Sequence, residues 1–249
     1  NTVAGTNAGD SFTSGEAEHN TLIGYNAGTA ISTGDNNTAL GSGSLQTCNT
    51  GYRNTSVGAY SLHNLTNAQE NTAIGYDSSR NITTGDANVS VGTGALYSLT
   101  TASKNTAVGF QASAANTTGI KNTAIGWNAG DAATTASNNT LVGSEAGTAI
   151  TTGPNNTALG GYATGELTTG GDNTALGYAA GEKITTGNYN TIVGKAAAND
   201  ITTGSNNIVL GYAAEVSSAT VSNEVTIGDT SITKFRIPGI NFVLKDTTA

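Results

Sequence analysis

Two histidines, one cysteine and seventeen carboxylates are what this 249-residue chain offers for acid–base, nucleophilic or metal-ligating chemistry. His19 and His63 recur with no serine or carboxylate at a fixed spacing, so a hydrolytic triad has no support. Cys48 stands alone and can form neither an internal disulfide nor a zinc site. Asp35, Asp77, Asp86, Asp131, Glu145, Glu166, Asp172 and Glu182 do not share one phase of the sequence, whereas a calcium-binding solenoid would place Asp at one phase turn after turn. A glycosidase needs two facing carboxylates; Glu166 with Asp172 or Glu182 is the one pairing left open. No glycine stretch leads into Gly-Lys-Ser/Thr, so there is no phosphate loop. The residues point to no enzyme, no cofactor and no metal.

Composition narrows the partners. Nine basic residues against seventeen acidic give a formal charge of -8, which disfavours nucleic acid, because phosphate binding needs clustered Lys and Arg. No apolar run reaches the roughly 18 residues of a membrane span, so no membrane insertion is expected. With 34 Gly, no Met, one Trp and 10% charged residues, a thick core of large side chains is not available. Sequons such as Asn54-Thr55-Ser56 follow from an Asn- and Thr-rich repeat and carry no inference of glycosylation.

A repeat must therefore position whatever function there is. From Gly24 a glycine recurs every 17 residues, at Gly41, Gly58 and onward to Gly228, without insertion or deletion. Asn1-Thr2-Val3-Ala4-Gly5 is one more copy, 19 residues before Gly24. Four residues before each anchor glycine stands an asparagine: Asn20, Asn37, Asn54, Asn71, Asn88, Asn105, Asn122, Asn139, Asn156, Asn173, Asn190 and Asn207. Stacked in register, their amides can bond one another. The residue just before the glycine is always aliphatic (Ile23, Leu40, Val57, Ile74 and so on), and is expected to form the spine of the core. Three residues after it only Ala or Ser occurs, as though a neighbouring backbone leaves no room. Seven after it, Ile31, Cys48, Leu65, Ile82, Leu99, Ile150, Leu167, Ile184 and Ile201 supply a second apolar column, which Asn116, Ala133 and Ser218 break. Cys48 reads as a small buried hydrophobe.

Glycine every few residues excludes long helices, and the short Asn-Thr-Ala-Ile and Ile-Thr-Thr pieces read as strands. The fold class is all-β: a β-solenoid, or β-helix, of 17-residue repeats, in which stacked turns bury what one turn cannot. The pentads carry adjacent apolar residues, such as Leu141-Val142, that must point to opposite faces, so something outside the solenoid has to cover one of them. That favours a homotrimeric fibre. Residues 1–217 form the repeat shaft. Residues 218–249 form a cap or neck, where Ile232, Phe235, Ile237, Ile240, Phe242 and Leu244 supply a bulkier plug beside Lys234, Arg236 and Lys245. Because Asn1 falls inside a repeat, the chain is expected to be a piece of something longer.

Two columns are candidate binding surfaces. Directly after the anchor glycine come Tyr25, Tyr76, Phe110, Trp127, Tyr178 and Tyr212, interrupted by smaller residues. Such rings can stack on sugars, or cover gaps between chains with their polar ends in water, and the second reading is favoured. The Thr-Thr pairs, such as Thr83-Thr84 and Thr151-Thr152, resemble the threonine arrays of ice-binding solenoids, a weaker alternative because several turns lack them.

Repeats of the form Asn-Thr-Ala-Ile-Gly, followed by Ala-Gly and Ile-Thr-Thr-Gly and ending in Glu224-Val225-Thr226-Ile227-Gly228-Asp229 through Lys234-Phe235-Arg236-Ile237-Pro238-Gly239, resemble tail-fibre proteins of tailed bacteriophages, marine and cyanobacterial ones in particular. The head repeats of trimeric autotransporter adhesins are similar, at a shorter period. The phage resemblance covers nearly the whole chain and is most specific at 223–244. It implies a homotrimeric virion shaft, located outside the cell, that partners other tail proteins and reaches a host cell-surface glycan or protein receptor. In that family a self-cleaving endosialidase-type chaperone often follows; its absence from this sequence fits a matured or a truncated fibre. The alternatives are an extracellular bacterial adhesin or filament subunit, and an ice-binding or glycan-binding solenoid.

Overall fold

The computed structural model describes residues 1–13 and 16–236. Fourteen three-residue strands, from Thr2–Ala4 to Val225–Ile227, form one parallel sheet in strict sequence order. Every pairing is parallel and, after the first, joins residues 17 apart, for example Thr123↔Thr140 and Ile125↔Val142. No helix occurs among the described residues. The chain is a β-solenoid whose rungs pair with the next rung of the same chain, so it stacks on itself and is not interleaved with others. At about 4.8 Å per rung the stack from Gly24 to Gly228 is about 58 Å long.

The glycine period has a steric cause. The anchor glycines from Gly24 to Gly194 have φ between +133° and +141°, and a Cβ on Gly126 would lie 2.3 Å from the carbonyl oxygen of Gly143. No other residue fits so close beneath the next rung.

Strand polarity is set by the asparagines. Asn37, Asn54, Asn156, Asn173, Asn190 and Asn207 are completely buried and the rest of the column nearly so. Each carries out the same two tasks. Its amide nitrogen donates to the backbone carbonyl 14 residues on, as Asn122 does to Ala136 at 2.8 Å, and its oxygen accepts the N–H of the next asparagine, as Asn122 does from Asn139 at 3.0 Å. With the asparagine facing in, alternation sends the next residue out, the following one in, and the aliphatic one out. The inward middle residue is Leu22, Ala39, Ser56, Ala73 and their equivalents to Val209, all buried, whereas on the end rungs Val3 is exposed and Thr226 half-buried.

This overturns the expectation that the aliphatic residue before each glycine forms the spine of the core. Ile23, Leu40, Leu159 and Ile227 are 40%, 46%, 45% and 51% exposed, and the valines of the column are half-buried. The core consists instead of the middle strand residue, the Ala/Ser column (Ala27, Ser44 through Ala214) and the second apolar column, all of them buried. Where that last column turns polar, Asn116 closes its own turn: its Oδ1 accepts the Gly119 N–H at 2.8 Å and its Nδ2 donates to the Gly119 carbonyl at 3.1 Å.

Core volume is exchanged across the lumen. Where the middle strand residue is large, the residue four after the glycine is small: Leu22 fills the space a Cβ on Gly28 would need (2.8 Å), and Leu141 does so at Gly130 and Gly147 (2.6 and 2.7 Å). Where the strand residue is Ala39, Ser56 or Ser90, that position is Leu45, Leu62 or Leu96, each fully buried. The interior stays dense although few rungs carry two large side chains there. The serines bond across the same space, Ser44 Oγ to Ser56 Oγ at 2.8 Å and Ser78 Oγ to Ser90 Oγ at 2.7 Å.

The stack continues into the segment expected to be the cap. Val225–Ile227 pairs with Ile208–Leu210, and the N–H of Glu224, in the asparagine phase, donates to Asn207 Oδ1 at 2.9 Å. Of the expected plug, Ile232 and Phe235 are exposed; Ile237, Ile240, Phe242 and Leu244 lie outside the described residues, as does Lys245.

Candidate functional site: the outer face and its aromatic column

Each three-residue strand turns two side chains outward. The first is threonine on most rungs (Thr21, Thr38, Thr55 and onward) and the second is the aliphatic residue, so the sheet presents two parallel columns, one hydroxylic and one apolar, with no charged residue in either. Beside them, across the anchor glycine, runs the aromatic column. Tyr25, Tyr76, Phe110, Trp127, Tyr178 and Tyr212 are all exposed, from 45% for Phe110 to 65% for Tyr212. They occupy one phase of the rod, as expected, but form no continuous stack, because other residues such as Ser42, Thr93 and Gly161 separate most of them.

Aromatic residues at other phases join them. Tyr60 and Tyr162, two residues after their glycines, have φ of 58°, and this left-handed corner turns their rings toward the next rung. Tyr60 meets Tyr76 edge to face with centroids 6.3 Å apart, and Tyr162 meets Tyr178 at 5.7 Å. Sequence reading of a single column missed both; the signal was an aromatic residue one position later, on the rung before a tyrosine. Arg80 lies over the Tyr60 ring at 4.9 Å and bonds Asp77 at 2.9 Å. The Glu145 carboxylate, hydrogen-bonded to the Tyr162 hydroxyl, holds that phenol above its ordinary pKa.

One gap in the column is a formed groove. Between Tyr76 and Phe110 the same phase carries Thr93, followed by Gly94, and a cavity of about 540 Å³ opens there, bounded also by Tyr97, Gln111 and Asp131.

The other candidates do not converge. His19 is exposed and 3.9 Å from Glu18; His63 Nδ1 lies 2.9 Å from the Gly43 carbonyl and its ring meets Tyr60 edge-on. Asp35 and Asp86 brace corners, accepting the N–H of Glu18 at 2.7 Å and of Gln69 at 2.8 Å. Glu166 and Glu182 sit on consecutive rungs joined through the backbone at 2.8 Å, whereas Asp172 lies at another corner, accepting from Asn155 at 3.1 Å. Cys48 is buried, its sulfur 3.7 Å from the Gly51 carbonyl, and burial pushes the thiol up to about 12.

The first threonine of each Thr-Thr pair belongs to the wall. From Thr66 to Thr202 every such hydroxyl donates to the backbone carbonyl 17 residues on, as Thr83 does to Thr100 at 3.2 Å and Thr117 to Thr134 at 3.0 Å. Half of the suspected surface array is therefore a second internal ladder, while Thr84, Thr118 and Thr152 are exposed.

No protein-family model, no curated protein and no solved structure matches the chain.

Proposed function

We propose that the chain is a structural segment of an attachment fibre, a phage tail-fibre shaft that acts as a homotrimer, carries a receptor-binding surface to a host cell and performs no catalysis. The observation that supports this reading most is the unbroken outward column of aliphatic side chains along the whole rod, at Ile23, Leu40, Ile74, Ile125, Leu159, Leu176 and Ile227. A soluble monomer rarely exposes so long a contiguous apolar strip, and copies packed side by side would cover it. A rod wired at every rung holds its binding surface at a fixed distance, and three copies add avidity to weak contacts. The phage reading in particular rests on the sequence resemblance.

Sedimentation of the intact chain tests it. A trimer has threefold the 24.7 kDa chain mass, and Ile125→Glu with Leu159→Glu converts it to monomers with unchanged β-sheet circular dichroism. A wild-type monomer defeats the shaft. It would favour the second reading, an ice-binding solenoid, because the outer strand face sets threonine beside an aliphatic residue on most rungs at a spacing of about 4.8 Å.

A further inference from the structure

The gap between Tyr76 and Phe110 has the chemistry of a ligand site. Their rungs are two strand spacings apart, about 9.6 Å. Atoms in contact stand about 3.5–4.0 Å apart, so the rung between the two side chains leaves room for about one partly apolar ring. The intervening rung supplies the opening. Thr93 stands where an aromatic residue stands on both neighbouring rungs, and Gly94 stands where they carry Asp77 and Gln111. A Cβ on Gly94 would find only Gln111 Cγ, at 3.5 Å, so its surface is open. Tyr97 closes one side, next to the short side chains of Ala114 and Ala115, and Asp131 stands one rung beyond Phe110.

The volume of about 540 Å³ falls among small-molecule sites, which combine apolar walls with a few polar groups. Here the polar groups are an amide, Gln111, two carboxylates, Asp77 and Asp131, and the hydroxyls of Thr93 and Ser98. Asp131 already accepts the Thr148 hydroxyl at 2.7 Å and Asp77 is paired with Arg80 at 2.9 Å; both keep free lone pairs for hydroxyl donors. Aromatic faces for the C–H side of a ring and acceptors for its hydroxyl rim are what a pyranose requires. A lipid chain would offer the free lone pairs no donor, and an acidic sugar would be repelled by the two carboxylates and by the net charge of -8.

We infer that the groove between Tyr76 and Phe110 binds one neutral pyranose unit of a surface glycan. This rests on the attachment reading and gives it a ligand class and a location. The outward aliphatic strip and the groove lie on opposite sides of the anchor glycine, at Ile74 and Tyr76 for example.

The test uses the full chain on an array printed with glucan, mannan and galactan oligosaccharides beside sialylated and uronic-acid ones, followed by calorimetric titration with the best neutral binder. Thr93→Tyr restores the residue found at this phase after Gly75 and Gly177 and fills the groove; Phe110→Ala removes one wall; Tyr178→Ala removes a ring elsewhere. Melting curves check that each variant folds, and Phe110→Ala decides the matter if Thr93→Tyr does not fold. The expected result is binding of a neutral oligosaccharide, weakened at least tenfold by Thr93→Tyr and by Phe110→Ala and unchanged by Tyr178→Ala. The inference is overturned if no neutral oligosaccharide binds, if acidic ones bind in their place, or if the folded groove variants bind like wild type. Sedimentation of the same samples separates the two failures: a trimer that binds no sugar loses the groove and keeps the shaft, whereas a monomer that binds sugar keeps the groove and loses the shaft.

Discussion

The side-chain oxygen of Asn88 accepts the backbone N–H of Asn105 at 3.0 Å while its amide nitrogen donates to the carbonyl of Ala102 at 2.9 Å. One buried side chain thus satisfies two backbone groups of the following rung that have no other partner at that corner of the wall. Asn88→Ala leaves both unpaired, at about 1–3 kcal/mol each, and the expected loss is about 2–6 kcal/mol in urea denaturation. Asn88→Asp keeps the acceptor and loses the donor, so its loss at neutral pH is of the same order and shrinks when acid protonates the new carboxyl.

Two glycines only 35 positions apart should respond in opposite ways. Gly126→Ala places a methyl 2.3 Å from the Gly143 carbonyl at φ +141°, and strain with overlap should cost at least about 3 kcal/mol. At Gly161 a Cβ meets nothing nearer than Tyr178 Cδ2 at 3.5 Å, and the equivalent residue of another rung is Ala59. Gly161→Ala should change stability by no more than about 0.5 kcal/mol. Thermal melts of the pair measure the difference.

Cys48 reports on rod opening. A thiol pushed up to about 12 and buried is ionised at pH 8 in about one molecule in ten thousand, and the thiolate is the reactive form. Labelling by an aromatic disulfide reagent should follow unfolding of this region, accelerating with urea. Rapid, stoichiometric labelling of the native chain would show that the interior near Cys48 is open.

Near the end of the rod Glu215 has its carboxyl raised to about 7, by burial and by the neighbouring Asp200, with Lys183 opposing. A carboxyl held above its unfolded value of about 4.5 stays protonated in the folded chain after the unfolded chain has released its proton, so stability falls as pH rises. The contribution is complete below pH 4.5 and is lost between about 4.5 and 7. Glu224 and Asp229, held low by Ser217 and Ser231, act in the opposite sense and at lower pH. Exchange of amides in the last rungs should therefore be slower at pH 5 than at pH 7.5 after correction for intrinsic rate, and Glu215→Gln should reduce the difference. An unchanged difference in that variant would assign the effect to other groups.

Period and the asparagine ladder were legible in the residues, because a register that never slips over twelve repeats stacks like upon like; whether a rung pairs with the next rung of its own chain or with another chain was not, and the in-sequence order of the sheet decided it. The small Ala/Ser column and the buried Ile31-to-Ile201 column were legible for the same reason. The inward side of the strand was misjudged at Ile23 and its equivalents, because hydrophobicity alone suggested the core. The parity could have been read from the asparagines: a ladder whose amides bond the backbone and one another, as Asn88 Nδ2 donates to Asn71 Oδ1 at 3.1 Å, faces inward, and two residues later Ala39 or Leu141 must face inward with it. The exchange of Leu22 against Gly28 and of Leu45 against Ala39 was also present in the sequence, but it has meaning only when the two positions are known to meet across the lumen.

What the sequence determined alone is the rung: its length, its glycine corner and the residues that recur in each. The tertiary structure decided which way the side chains point and which of them are spent. It assigned Thr83 and its column to the wall, brought Tyr60 against Tyr76, and left an open groove at Thr93 and Gly94. The physical reason is that one-dimensional order follows from repetition along the chain, whereas the lumen, the outer face and a missing side chain between two rings exist only after neighbouring rungs, 17 residues apart, have been set about 4.8 Å from each other.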